Sequence, residues 1–342
     1  MAELTRRQKR RLSQKRLLPN LLAIAYTLFG FIQGVGGILD SSALRNGIGV
    51  LLLTHSLVLS GLLIHEVIHR CVFHSAKLND ALATLMSILN GACYVPFEWL
   101  RRQHLAHHLH KVGYDGFSIS AWTRAQPKLI QYPLLALEFC YIPILSILSR
   151  ARLLAYPFFN AKYKELRPRI VSIFLLRASF FALLFSLRPA ALALYLGAYL
   201  GMITIFRIFD CFHHTFDIVP LGCNPPALPP HYEQDNTYSS LLSRRHAWLN
   251  TVFLNYGYHN AHHALFGAPW YQLPRIDRLT HGDSSKHCIL SWDILYMYHR
   301  HRISRILEGL GKPERREDRL DTSQFHGIIM NLSFIDYDYN NL

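Results

Sequence analysis

The sequence predicts an all-α integral membrane protein: four transmembrane helices in two hairpins, with interfacial helices and a cytoplasmic cap that carries three histidine boxes. Three observations lead there. Of 342 residues, 51% are hydrophobic and only 17% charged, where a soluble domain has about a quarter of its residues charged. Four apolar stretches approach the roughly twenty residues that cross ~30 Å of hydrocarbon as a helix. Finally, Lys and Arg outnumber Asp and Glu by 36 to 22, and the excess gathers beside those stretches.

Residues 1–17 form a basic tail, with seven cations (Arg6, Arg7, Lys9, Arg10, Arg11, Lys15, Arg16) offset only by Glu3. Under the positive-inside rule such a tail stays cytoplasmic, beside anionic lipid. It lacks interleaved aromatics, so no nucleic-acid partner is expected. The main domain, residues 18–308, opens with a span at 18–39 that is too long for a signal-peptide core and has no small-residue cleavage site after it, so it is retained. Asp40-Ser41-Ser42 turns the chain into a second span, 47–64. Spans at 170–187 and 190–206 form the second hairpin, with Arg188-Pro189 as the breaker. Arg177, inside the third span, is expected to snorkel toward the cytoplasmic end.

Two further apolar stretches, 81–97 and 129–148, are ambiguous by length. Arg101 and Arg102 lie between them, and six cations with one acid follow in residues 150–169. Both flanks favour the cytoplasm, so neither stretch is one complete crossing, and both read as interfacial or re-entrant helices. Residues 309–342 read as a polar, peripheral tail. The six cysteines show no CxxC spacing and read as reduced packing residues rather than a disulfide or zinc framework.

Twenty histidines need an explanation. At the end of the second span stands His65-Glu66-Val67-Ile68-His69, which a continuing helix places on one face. A lone HExxH reads as a zinc peptidase with the glutamate as base. Two HxxHH boxes follow, His104-Leu105-Ala106-His107-His108 and His259-Asn260-Ala261-His262-His263. Positions i, i+3 and i+4 converge on one side of a helix. Eight imidazoles are too many ligands for one ion and suit two. Imidazole accepts iron, copper and zinc alike, so ligand type does not choose the metal. Among the others, His55 reads as a packed residue of the second span and His74 as a candidate substitute in the first box. His110, His213, His231 and His246 read as supporting or surface residues, and His281, His287, His299, His301 and His326 as surface.

Three histidine boxes of this type, in this order, resemble the membrane-bound fatty acid desaturase and hydroxylase superfamily, over roughly residues 45–280. Phe212-His213-His214-Thr215, Pro229-Pro230-His231-Tyr232 and Pro269-Trp270-Tyr271-Gln272-Leu273-Pro274 are similar to it as well. The resemblance implies a non-haem diiron centre holding two Fe2+ ions, with O2 as co-substrate. Its metal ligands would be His65, His69, His104, His107, His108, His259, His262 and His263, with His214 as a ninth. Glu66, Asp210 and Asn260 are candidates to support them. The sequence departs from the pattern in the three-residue spacing of the first box and in Asn260-Ala261, where many members carry Leu-Glu.

On this resemblance the expected function is O2-dependent oxidation of a fatty acyl chain, first of all desaturation. Hydroxylation and oxidative decarboxylation of a free fatty acid to a terminal alkene are alternatives. A membrane zinc protease built on His65, Glu66 and His69 is the reading from a different class, and a metal transporter or sensor a third. The substrate would be a fatty acid, free or carried on lipid, CoA or carrier protein. With no HPGG motif in the chain, electrons would come from a separate ferredoxin or cytochrome-type protein. A bacterial inner membrane, with both termini and the active site cytoplasmic, is the expected location.

Overall fold

A computed structural model of the chain describes residues 3–115, 117–220, 223–282, 286–315 and 320–329. In chain order the helices are α1 (Arg6–Leu12), α2 (Leu17–Leu39), α3 (Ala43–Ile68), α4 (Ala76–Asn90), α5 (Phe97–His110), α6 (Ile119–Arg124), α7 (Lys128–Phe139) and α8 (Ile144–Phe159). They continue with α9 (Arg167–Leu187), α10 (Pro189–Asp210), α11 (Tyr232–Asp235), α12 (His259–Ala264), α13 (Leu273–Thr280), α14 (Ser291–Arg300) and α15 (Ser304–Leu307). The chain divides into two compact units, one of residues 16–100 and 151–205, the other of 1–15, 101–150 and 206–342.

The first unit contains the four long apolar helices. Among the described residues, four helices are long and apolar enough to cross a membrane: α2, α3, α9 and α10. The pairs α2–α3 and α9–α10 are the two expected hairpins. In the first hairpin the backbones approach through glycine: a Cβ on Gly49 would lie 2.8 Å from Ile38 N and 2.9 Å from Gly34 O. Small residues allow this approach where lipid supplies no hydrophobic force between helices. The turn after α9 is tied to the turn after α2, because Arg188 donates to the carbonyl of Ile38 (2.8 Å) and to Asn46 Oδ1 (3.0 Å). Carbonyls left over at a helix end are thereby satisfied. Fully buried Asn20 donates to the carbonyls of Cys71 and Val72, fixing the chain just beyond α3.

Arg177, inside α9, has partners within the protein: its guanidinium donates to the carbonyls of Ile88 and Leu89 at 2.8 and 3.4 Å. These are orphan carbonyls in the last turn of α4, where a cation also meets the negative end of the helix dipole. The apolar stretch 129–148, expected not to be one complete crossing, is not a continuous helix. It breaks between α7 and α8 with a bend of 117°, at Tyr141, whose φ is +62°, followed by Pro143.

In the second unit short elements surround the second and third histidine boxes. Parallel pairs join β1 (Gly113–Asp115) to β2 (Ile218–Pro220) and β3 (Ser239–Leu241) to β4 (Cys288–Leu290), and β5 (Glu314–Arg315) pairs antiparallel with β6 (Leu320–Asp321). The basic tail is folded in part: Thr5 caps α1 in a reciprocal box with Gln8. Leu12 is buried with Leu241, Tyr258, Ala261, Leu273 and Ile276. Of the segment 309–342, residues 330–342 lie outside the described residues. Within the rest, Phe325 is buried against Phe212 and Tyr238, and Ile328 N–H donates to the Cys211 carbonyl. Six free cysteines agree with the reading of reduced thiols.

The glycine contact gives a direct test of the first hairpin. Gly49→Ala is expected to cost about 1–3 kcal/mol by overpacking and to lower the thermal unfolding midpoint in detergent. Gly47→Ala, which meets nothing within 4 Å, is expected to leave it unchanged or raise it slightly, since alanine favours a helix interior.

Candidate metal centre

In the second unit the sequence builds a cluster from three segments. The last turns of α5 present His104, His107 and His108. The short helix α12 presents His259, His262 and His263, all buried. His214 follows α10 and pairs with Thr237 through an isolated bridge. The local chain around α12 is tightly determined. A Cβ on Gly257 would fall 2.0 Å from Ser240 O, so only glycine fits there. Asn260 N–H donates to Ser239 Oγ, and its amide donates to the Thr237 carbonyl at 2.6 Å. Asn260 thus pins α12 to the strand beside it.

The ring nitrogens meet in two trios. His104, His108 and His262 converge through Nε2, with His108 Nε2 3.1 Å from each of the other two. His107, His214 and His263 form the second trio, with ligand atoms within 4.8 Å of one another. His259 Nε2 lies 2.7 Å from His214 Nε2. The trios are neighbours, since the His108 and His263 ring centroids are 4.2 Å apart.

The hydrogen bonds on the far side of these rings fix where the protons are. His107 Nδ1 faces the Val112 carbonyl at 3.0 Å, which only accepts, so the proton is on Nδ1. His263 Nδ1 faces Glu233 Oε1 at 2.9 Å, and the carboxylate likewise accepts. Thr237 gives its hydroxyl proton to the Glu233 carbonyl at 2.6 Å, so at 3.3 Å it accepts from His214 Nδ1. All three rings therefore present a bare Nε2 lone pair inward when neutral, and neutral they are. Burial pulls His107 down to about 4 and His214, His259, His262 and His263 well below the usual imidazole value, with repulsion from neighbouring histidines adding to the effect for the last four.

Two such lone pairs, His107 Nε2 and His214 Nε2, stand 3.1 Å apart. Without a proton between them this contact is repulsive. His263 Nε2 is buried with no hydrogen-bond partner. A cation among these nitrogens converts repulsion into ligation, so the donor set fits a metal.

Around the ligands stand residues that hold them. Glu233 orients His263, and Lys111 Nζ lies 3.5 Å from its other oxygen. Burial raises the Glu233 pKa, and Lys111 opposes the rise. Asp210, a candidate to support the ligands, does not meet His214, which lies one helical turn further along the sequence. It accepts from Tyr256 OH at 2.7 Å and lies 3.5 Å from His213 Nδ1, because it ends α10 a turn too early to reach across the strand bridge. His213 in turn stacks on His259, with centroids 4.0 Å apart and an 11° tilt. Glu233, Thr237 and the Val112 carbonyl were missed from sequence. Glu233 directly follows Pro-Pro-His-Tyr, and an acid in that position was the available signal.

The first box belongs to the other unit. His65 lies in the last turn of α3 and His69 caps it, with ring centroids 5.0 Å apart. Glu66 is buried, its Oε1 4.0 Å from His65 Nδ1. His74 is exposed and His55 is bonded to Tyr26 at 2.9 Å. His301 is buried beside His326, not on the surface.

A family model described as "Fatty acid desaturase" matches residues 42–294, well over half of the chain. The chain belongs to the fatty acid desaturase family. No curated protein matches it. As a fatty acid desaturase family member it is an oxidoreductase of the membrane whose general activity is oxidation of fatty acyl chains. All three boxes and His214 fall inside the matched residues.

Glu233→Ala is expected to weaken metal binding about 10- to 100-fold, as loss of a ligand's hydrogen-bond partner does; a competitive metal titration measures it. A second expected outcome concerns pH. Folding lowers the histidine pKa values, so below the ordinary 6.5 and down to about 4 the unfolded chain binds more protons than the folded one. Stability is full above that window and falls as pH falls through it. The metal-free protein should melt at a lower temperature at the acid end of the window, and an unchanged midpoint would contradict the buried neutral rings.

Proposed function

We propose that the protein is a diiron fatty acid desaturase, with two iron ions held by His65, His69, His104, His107, His108, His214, His259, His262 and His263. One observation carries the reading: in three histidines the proton is fixed on Nδ1 by Val112, Thr237 and Glu233, leaving Nε2 bare and turned inward. Such an arrangement suits ligation of a metal ion. Seven nitrogen donors in one unit exceed what one ion takes, and His65 and His69, assigned on the sequence pattern, bring the number to nine. Family membership supports iron over zinc or copper.

When bound, two ferrous ions with O2 supply the oxidising power that an unactivated methylene demands and no side chain possesses. The chain's own residues do the rest. Val112, Thr237 and Glu233 hold the rings in the ligating tautomer. Asn260 keeps α12 in register, and Asp210 with His213 braces His259 from behind. Glu66 stands beside His65 as its counterpart. Burial keeps the imidazoles uncharged and available above the acid range.

Desaturation is the preferred outcome. Hydroxylation, and loss of the carboxyl group from a free fatty acid to leave a terminal alkene, differ only in which carbon faces the site and in the step that comes after the first hydrogen removal. The substrate is a fatty acid, free or carried on lipid, CoA or carrier protein, and electrons come from a separate ferredoxin or cytochrome-type protein. The basic residues before α2 support a cytoplasmic N-terminus, and we place the protein in a bacterial inner membrane with its active site on the cytoplasmic side. A protease built on His65, Glu66 and His69 would leave seven converging histidines without a role.

The test compares lipids and headspace of cells expressing the wild type and His107→Ala, in air and without oxygen. A new alkenyl product that requires air and the intact histidine is expected, and its position names the reaction. Oxygen-independent activity, or equal product from His107→Ala, would contradict the reading.

A further inference from the structure

Helix α14 has two apolar faces. One is buried: Ile294, Met297 and Tyr298 pack with Cys211 and Phe212, immediately before His213 and His214. The other is open. Trp292, Leu295 and Tyr296, at i, i+3 and i+4, are 82%, 44% and 59% exposed, and His299 continues the stripe at i+7. A contiguous exposed apolar stripe of this kind, unlike a single exposed side chain, marks an interaction or membrane surface.

The open face does not stand alone. Tyr141, at the bend between α7 and α8, bonds and stacks on His299. The Arg302 guanidinium lies 3.8 Å over the Phe139 ring. Phe139, Tyr141 and Ile142 are themselves 52%, 44% and 39% exposed. The surface of α14 therefore runs directly into the α7–α8 bend, whose helices together are apolar enough to pass for a broken membrane span. The rim carries cations: besides Arg302 there is Arg300, which donates to Tyr296 OH at 3.0 Å. The one acid on the helix, Asp293, sits in its first turn, where the helix dipole favours it.

We propose that α14 and the α7–α8 bend form one bilayer-interface anchor, with the rings of Trp292 and Tyr296 at headgroup level and the arginines on lipid phosphates. Trp and Tyr prefer that level because each has an apolar ring and a polar tip, and Arg reaches phosphate from an apolar stem. Amphipathic helices with basic rims lie in the interface plane in this way. The anchor is continuous with a lipid-compatible surface, which is why lipid is chosen over a soluble partner. Its consequence is positional. A helix held at the interface on one face presses with the other on the segment that delivers His214, so the depth of the histidine cluster is set from the membrane surface. This holds whichever oxidation the site performs.

The experiment uses the full-length protein in nanodiscs. Trp292→Phe changes an exposed ring and leaves the packed face alone, so the difference between wild-type and variant emission isolates Trp292. With phospholipids brominated high on their acyl chains, that difference signal is expected to lose most of its intensity, while iodide in the buffer leaves it largely intact. If iodide quenches it and brominated lipid does not, the face points to solvent or a soluble partner and the proposal is overturned. If neither reaches it, protein covers the face, and the proposal is equally overturned.

Discussion

Neutral imidazoles crowded in a buried space impose the constraint on which the rest of this protein depends. Seven of them meet in one unit, and burial holds His107, His214, His259, His262 and His263 below the usual imidazole pKa. Proton-bearing Nδ1 atoms are committed outward, to Val112, Thr237 and Glu233. What remains inward is lone pair against lone pair at about hydrogen-bond distance, 3.1 Å for His107 and His214. Such a core is unfavourable by itself and becomes favourable around cations. On the proposed metal-binding reading, metal binding and folding of this region would be coupled, as they are wherever ligands must be deprotonated and converged before the ion arrives.

The scaffold bears the marks of holding that arrangement. Gly257 admits Ser240 against the backbone that leads into α12, and Asn260 fastens the helix to β3. A deeply buried ion pair, Arg207 with Glu138 at 2.7 Å, ties the end of α10 to the α7–α8 bend, and Glu138 also accepts from Leu145 N–H. Removing one partner of such a pair strands the other charge, which makes it a fixed joint more than a source of net stability. The segment carrying His213 and His214 is thus held by α10 before it, by Phe325 and Ile328 across it, and by α14 behind it.

The legible parts of the sequence were those governed by local rules. Hydropathy and helix length located α2, α3, α9 and α10, since lipid leaves few other ways to satisfy a backbone. Spacing of i, i+3 and i+4 identified the boxes because helical geometry alone brings those residues to one side. What stayed hidden depends on contacts distant in sequence. Arg177 reads as a charge in a span, and only the fold shows the end of α4 opposite it. Asp210 looked like a partner for His214 by helical spacing, yet the chain leaves the helix between them. Glu233 could not be paired with His263 across thirty residues of chain, and the break at Tyr141 carries a positive φ that no propensity announces.

Metal analysis of the purified wild-type protein, joined to iron-edge X-ray absorption, tests the central claim most directly. The account predicts two irons per chain with a first shell dominated by nitrogen, as ligation by neutral histidines requires. One zinc per chain, or iron with a sulfur-rich shell, would contradict it.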